Sequence, residues 1–193
     1  MNNNLNSLKD KLDKVIASFD VTSKISFNQV ILNVNNENLV SFLNFLKNDQ
    51  YLSFDTLIDI TAIDNSELEE RSARFSVVYN LLSTSKNHRL RIFCDCASNN
   101  TIESAVDLWP VANWLEREIF DMFGIIFLNH PDLRRILTDY GFKGFPLRKD
   151  FPVSGNTELR YDPAKKRVVY EPISIAEREV IPRVKRETGY SKN

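Results

Sequence analysis

The first glycine in this chain of 193 residues is Gly124, and only five occur in all. Loops that cradle phosphates, of the dinucleotide or the P-loop kind, need glycines at fixed offsets between a strand and a helix. None can exist upstream of Gly124. Downstream, Gly141 and Gly144 in YGFKGFP lack the flanking strand and helix, so the chain is expected to bind no nucleotide. Cysteine is scarcer still, with Cys94 and Cys96 alone in HRLRIFCDCAS. An iron–sulfur cluster takes four thiolates, which this chain cannot supply by itself. A strand there would put Leu90, Ile92, Cys94 and Cys96 on one face and Arg89, Arg91, Phe93 and Asp95 on the other. Both thiols then read as small buried hydrophobes. Their closeness on one strand suits no structural disulfide, which fits a reducing compartment.

Long apolar runs are also missing. None approaches the roughly 18 residues that span a bilayer, and the N-terminal MNNNLNSLKDKLDK has no hydrophobic signal core. The expectation is a soluble protein, or one held to a membrane only through partners. Net charge is −1, so nothing global points to nucleic acid. The charge is uneven, however: from Arg160 onward nine Lys/Arg face five Asp/Glu, while the preceding residues hold 16 basic against 21 acidic. A basic tail on an acidic body suits a tail that lies on another surface.

What is present reads as helices and a strand meander. Leu5, Leu8, Leu12, Val15, Ile16 and Phe19 make one helical stripe. Val30, Leu32 and Val34 alternate like a strand. Asn36 can cap a second helix with the stripe Leu39, Phe42, Leu43 and Leu46. FDTLIDITAID, ARFSVVYNLLS and HRLRIFCDC follow as strands joined by polar, hairpin-like links. The expected fold class is α+β, a mostly antiparallel sheet with helices packed on one face, over residues 1–150.

Residues 151–193 change character. Pro152, Pro163, Pro172 and Pro182 recur about every ten residues, which forbids long helices and central strands. KKRVVYEPI is the only strand-like piece. Fully extended, residues 160–193 would reach roughly 110 Å. Backbone ordering costs about 1–2 kcal/mol per residue, more than so few apolar side chains could offset. The expectation is an extended basic tail, ordered only on a partner. Interleaved glutamates and the lack of a recognition fold argue against RNA.

The densest chemistry lies in residues 112–137, ANWLEREIFDMFGIIFLNHPDLRRIL. Four carboxylates (Glu116, Glu118, Asp121, Asp132), three arginines (Arg117, Arg134, Arg135) and His130 sit among strongly apolar residues. Asn113 as N-cap, Glu116 at N3 and Gly124 as C′ stop predict a helix over 114–123. Ala112, Leu115, Ile119, Met122 and Phe123 would form its buried stripe, and Arg117 and Asp121 would be i, i+4 partners. A di-metal carboxylate site wants Glu-x-x-His repeated on two helices, and no such motif occurs. A hydrolase using Glu118 and Asp121 would need a further acid from elsewhere in the chain and a pocket, and nothing in the sequence marks either. His130 before Pro131 reads as a structural hydrogen-bonder in a turn opening DLRRIL, with Pro131 at N1. No residue is singled out as catalytic, cofactor-binding or metal-ligating.

EREIFDMFG followed by HPDLRRIL resembles the signature of the C subunit of the proton-pumping NADH–quinone oxidoreductase, respiratory complex I. The resemblance continues through DYGFKGFPLRKDFP and ELRYDPAKKRVVYEP and covers roughly residues 20–175. One departure is Phe145, where many relatives have histidine, so that position carries no indispensable acid–base chemistry. The resemblance implies a peripheral-arm subunit that holds no FMN, Fe-S cluster or quinone of its own. It would pack beside the quinone-site D subunit, with the Fe-S-bearing B subunit as a neighbour, and run its tail across the quinone-site partner. It would sit on the cytoplasmic face of a bacterial inner membrane, or the matrix face in a mitochondrion. Signature or interface candidates are then Glu116, Arg117, Glu118, Asp121, His130, Arg134, Arg135, Arg148, Lys149 and Asp150. Arg134 and Arg135 are expected to matter to assembly more than to folding. A similar accessory subunit of a membrane-bound hydrogenase or other dehydrogenase complex is the alternative.

Overall fold

The computed structural model describes residues 2–16, 19, 21–68 and 73–175, in two units that meet between Phe151 and Pro152. The first unit runs α1 (Asn2–Ile16), β1 (Val21–Ser26), β2 (Gln29–Val34), α2 (Leu39–Asn48), β3 (Thr56–Asp64), β4 (Phe75–Ser83), β5 (His88–Asp95), β6 (Thr101–Glu103), α3 (Ala112–Phe123) and β7 (Ile126–Leu128). Five strands form one sheet in the order β1-β2-β5-β4-β3, antiparallel except for β2 beside β5. The α+β expectation holds.

Alternation decides which face is buried. Val30, Leu32 and Val34 pair in register with Leu90, Ile92 and Cys94. These residues join Tyr79 and the helix stripes Leu8–Leu12–Ile16, Leu39–Phe42–Leu43–Leu46 and Ile119–Met122–Phe123 in one core. Each such large apolar side chain contributes about 1.5–3 kcal/mol when fully buried. All three helices therefore cover the same face of the sheet. Cys94 and Cys96 are free and buried as expected, and burial pushes both thiols up to about 12.

Three details differ from the sequence reading. β1, with the sequence VTSKIS, carries too few apolar residues to signal a strand, and it forms by pairing along β2 at the sheet edge. Asn36 does not cap α2: it opens a short 3-10 turn, and its side-chain amide donates to the Thr101 carbonyl at 3.2 Å. Phe19 lies beyond the end of α1, edge-on to Phe42 at 5.1 Å between ring centroids.

In the second unit, β8 (Thr157–Asp162) and β9 (Arg167–Pro172) form an antiparallel hairpin. β9 is the strand-like piece expected; its partner TELRYD gives no strand signal of its own. Asp162 closes the turn by accepting the Ala164 and Lys165 N–H groups at 2.9 and 3.1 Å. Arg160 bridges Glu158 at 3.2 Å and Glu171 at 3.8 Å on one face of the ribbon. Residues 176–193 of the expected tail, with Pro182, lie outside the described residues.

Candidate functional site

The signature segment folds as a helix and a loop fastened to it. α3 begins at Ala112, two residues earlier than the capping signal suggests, and Val111 precedes it without a side-chain cap. The expected capping box does not form, because Asn113 is already inside the first turn. Glu116 turns inward instead. Its carboxylate accepts the Ala105 N–H at 2.7 Å and the Ser104 hydroxyl at 2.6 Å. It thus satisfies the turn entering α3 from β6 rather than the helix end. Gly124 does stop the helix, with φ +72° and its N–H donating to the Phe120 carbonyl at 2.9 Å.

Burial and charge meet at Glu116. The residue is fully buried, and burial pushes its pKa up to about 7 against the lowering pull of Ser104 and Ala105. The nearest basic group is His130, whose Nε2 lies 4.0 Å from the carboxylate. His130 Nδ1 accepts the Asp132 N–H at 3.0 Å, and Nε2 lies 3.1 Å from the Asn113 carbonyl. With Nδ1 accepting, Nε2 is the nitrogen placed to donate to Asn113. His130 is the structural hydrogen-bonder expected. The segment after it is a turn and irregular chain, so Pro131 opens no helix.

Asp121 gathers the loop. One carboxylate oxygen accepts the N–H groups of Ile136, Leu137 and Thr138 at 3.1, 2.8 and 2.7 Å. The other accepts the Thr138 hydroxyl at 2.5 Å and the Arg135 guanidinium at 2.8 Å. Burial works to raise its pKa, but these donors win and hold it at about 2. The expected Arg117–Asp121 pair is replaced by this arrangement. Arg117 is buried and donates to the carbonyls of Arg134 and Arg135 at 3.1 and 3.2 Å.

A second layer forms around Phe145. The Arg135 and Arg148 guanidinium carbons lie 5.2 and 4.2 Å from its ring centroid, so two cations engage the one ring. Arg135 also donates to the Gly144 carbonyl at 3.0 Å and Arg148 to the Phe123 carbonyl at 2.6 Å. Gly124 is required at this point, since a Cβ there would lie 2.5 Å from Arg148 and 2.6 Å from Phe145. Asp64 accepts the Lys149 N–H at 3.0 Å and Arg74 at 3.3 Å, and Arg74 reaches Asp150 at 2.7 Å. Burial works to raise the Asp64 pKa, yet these donors bring it to about 2.

The candidates therefore separate into two groups. Glu116, Arg117, Asp121, His130, Arg135 and Arg148 are engaged inside the unit. Glu118 is exposed, and Arg134 pairs with Asp132 at 2.8 Å on the surface. Lys149 and Asp150 use exposed side chains, Lys149 reaching Glu67 at 2.8 Å. Ser104, Thr138, Asp64 and Arg74 complete these networks without being signalled, because partners up to 85 residues apart leave no local pattern. Among the described residues, no group of three or more His, Cys, Asp or Glu side chains converges as a metal site. The same segment exposes Trp114, Leu137 and Tyr140, at 70%, 64% and 96%. Its chemistry is that of a buried charged clamp whose outer surface mixes these apolar side chains with Glu118 and the Asp132–Arg134 pair.

Residues 32–157 match the family model described as "Respiratory-chain NADH dehydrogenase, 30 Kd subunit". The C subunit of the NADH-quinone oxidoreductase of Ruegeria pomeroyi is 53% identical over 162 residues, 84% of this chain and 78% of that protein. The protein of the same name from Methylobacillus flagellatus is 44% identical over 191 residues, 96% of this chain and 97% of its own. Among solved structures, the trypsin-resistant fragment (1-134) of Nqo5 superposes with a TM-score of 0.58 at 28% identity. The match covers 65% of this chain and 98% of the fragment. A chain of the membrane-bound sulfane sulfur reductase, an archaeal respiratory membrane complex, shares the fold. Its TM-score is 0.64 at 20% identity, over 76% of this chain and 86% of its own.

Proposed function

This chain belongs to the family of the respiratory-chain NADH dehydrogenase 30 Kd subunit, and on that premise we propose that it is a docking and positioning subunit of the peripheral arm. It is part of an NADH–quinone oxidoreductase and works with other subunits of that complex. In the proposed role it packs beside the subunit that forms the quinone site and near that subunit's Fe-S neighbour. Electrons pass from NADH through FMN and Fe-S centres to quinone in those partners, and this chain holds none of the centres. The complex faces the cytoplasm of a bacterium, or the matrix if the host is a mitochondrion. No helix among the described residues is long and apolar enough to cross a membrane, which suits attachment through partners.

One observation carries the reading. Glu116, Arg117 and Asp121 direct their hydrogen bonds to their own chain, while Trp114, Leu137 and Tyr140 of the same segment stay exposed. A catalytic helix would turn its titratable groups toward a substrate; an assembly element fixes them inside and offers apolar side chains to a partner. The tail fits as a second contact. The trypsin-resistant part of the Nqo5 chain superposes on 65% of this one, which supports a tail that is separable until it docks. The reading as an accessory subunit of another membrane-bound complex has less behind it, because the sulfane sulfur reductase likeness extends to the fold alone.

The test is spectroscopic and kinetic. The purified full chain is expected to show no visible absorbance and to oxidise no NADH. A stoichiometric chromophore, or turnover in the chain by itself, would contradict the proposal.

A further inference from the structure

The hairpin joining β1 to β2 turns over Phe27 and Asn28, both left-handed at φ +49° and +59°. Asparagine and glycine suit such a two-residue turn; a bulky side chain at positive φ is strained there. Phe27 is also 98% exposed, so the chain gains nothing from burying the ring. Within its own fold the residue is unfavourable on both counts. Strain kept at an exposed aromatic points to a use outside the chain.

Its surroundings say what that use accepts. Because β2 and β5 run parallel as neighbours, their first residues lie side by side. A groove of about 590 Å³ opens there, lined by Leu5, Phe27, Asn28, Asn87, His88 and Arg89 together with Gln29. Apart from Leu5 and Phe27, every one of these side chains can donate a hydrogen bond. No carboxylate lines the groove among the described residues. Arg89 and Lys86 stand exposed at this end of the sheet, Lys86 in the turn beside Asn87, and burial, with Lys11 and Lys86 adding to it, lowers the His88 pKa.

We infer that this groove docks an acidic segment of a neighbouring subunit, whose carboxylates meet Arg89 and Lys86 and whose apolar notch takes Phe27. The inference rests on the proposed role as an assembled subunit, but uses a different surface from the signature segment. An anionic lipid surface is the competing occupant. It is less suited, since a single phenyl ring is a small apolar anchor for a membrane, whereas one buried aromatic is the usual centre of a protein contact.

The experiment uses the full chain in the intact complex. Phe27→Gly is expected to raise the melting temperature of the purified chain by relieving the turn, yet to lower its share in the NADH-oxidising particle several-fold. Combined Lys86→Glu and Arg89→Glu is expected to lower that share as well, with the wild-type contact weakening as salt rises. A photo-crosslinker placed at position 27 should reach an Asp/Glu-bearing segment of one neighbouring subunit. The inference is overturned if Phe27→Gly assembles like wild type and the crosslinker reaches no subunit. It is also overturned if Phe27→Gly lowers the melting temperature, which would make the ring a fold residue. Crosslinks to lipid, or Phe27-dependent binding to phosphatidylglycerol vesicles, would replace the protein partner with a membrane. Absence of the wild-type chain from any such particle would instead defeat the proposed function itself.

Discussion

Asp121 and Arg135 stand 2.8 Å apart, carboxylate to guanidinium, with the aspartate side chain fully buried. The same carboxylate takes three successive backbone N–H groups from residues 136–138. The pair therefore fastens the loop after β7 to the last turn of α3. It also leaves Leu137, between two of those anchored positions, exposed.

Arg135 and its neighbour should consequently behave differently. Arg135→Ala leaves a buried carboxylate without its cation and is expected to destabilise the full chain by about 3–5 kcal/mol. Arg134 is 59% exposed beside a surface aspartate, so Arg134→Ala should change stability by about 1 kcal/mol or less. Denaturant unfolding of the two variants decides it. Equal large losses would contradict the separation and make both arginines fold residues; equal small losses would restore the single assembly role that their sequence suggests.

Glu116 gives a pH signature. Its folded pKa, near 7, lies above the ordinary 4.5, so the native state holds the proton more tightly than the unfolded chain. That contribution is full below about 4.5 and is lost as pH rises through 7, on the order of 3 kcal/mol. Asp121 and Asp64 act oppositely: their folded values near 2 give stability that is present above 3.8 and lost as pH falls through 2. Glu116→Gln should flatten the decline on the neutral side and leave the acid limb unchanged. Urea titrations from about pH 2 to 8 would show both limbs, and a neutral-side decline that persists in the variant would exclude Glu116 as its source.

Phe145 is engaged by two guanidinium groups, at 5.2 and 4.2 Å from its ring centroid, which limits what can replace it. A neutral imidazole can stack there, so Phe145→His should be nearly silent at about pH 8. Protonation would add a third cation to the stack. The flanking charges depress the histidine's folded pKa, and the variant should lose about 1–2 kcal/mol as pH falls below the unfolded value of about 6.5. Melting curves of the two proteins at about pH 8 and about pH 5.5 make the comparison. A pH-independent difference would mean that the arginines do not engage the ring.

Gly124 tests the link between the helix end and that stack. Its φ of +72° and the crowding by Arg148 and Phe145 make Gly124→Ala unfavourable in both backbone and packing. The expected loss is about 2 kcal/mol or more, at least half of it from the left-handed backbone alone. Gly124→Asn, which tolerates that backbone, should retain the packing penalty alone. An alanine loss no larger than the backbone share of about 1 kcal/mol, with Gly124→Asn as stable as wild type, would show that the stack relaxes freely.

These networks also mark where the sequence is readable. Stripes such as Leu39–Phe42–Leu43–Leu46 and the alternation Leu90–Ile92–Cys94 place the helices and central strands, because local periodicity is itself the burial pattern. β1 is hidden, since VTSKIS takes its place by pairing along β2 rather than through its own apolar residues. At the site, the helix and its glycine stop are legible, but the capping box is not real. Glu116 and Asp121 find donors at Ala105 and Thr138, contacts made by the folded chain that sequence spacing does not encode.

The most direct measurement separates membranes of the source cell under native conditions, with this chain tagged and its companions identified. It is expected to migrate in a large particle that oxidises NADH and reduces quinone, together with the quinone-site subunit and its Fe-S neighbour. Migration alone at monomer size would contradict the docking role, whatever the chain's ancestry.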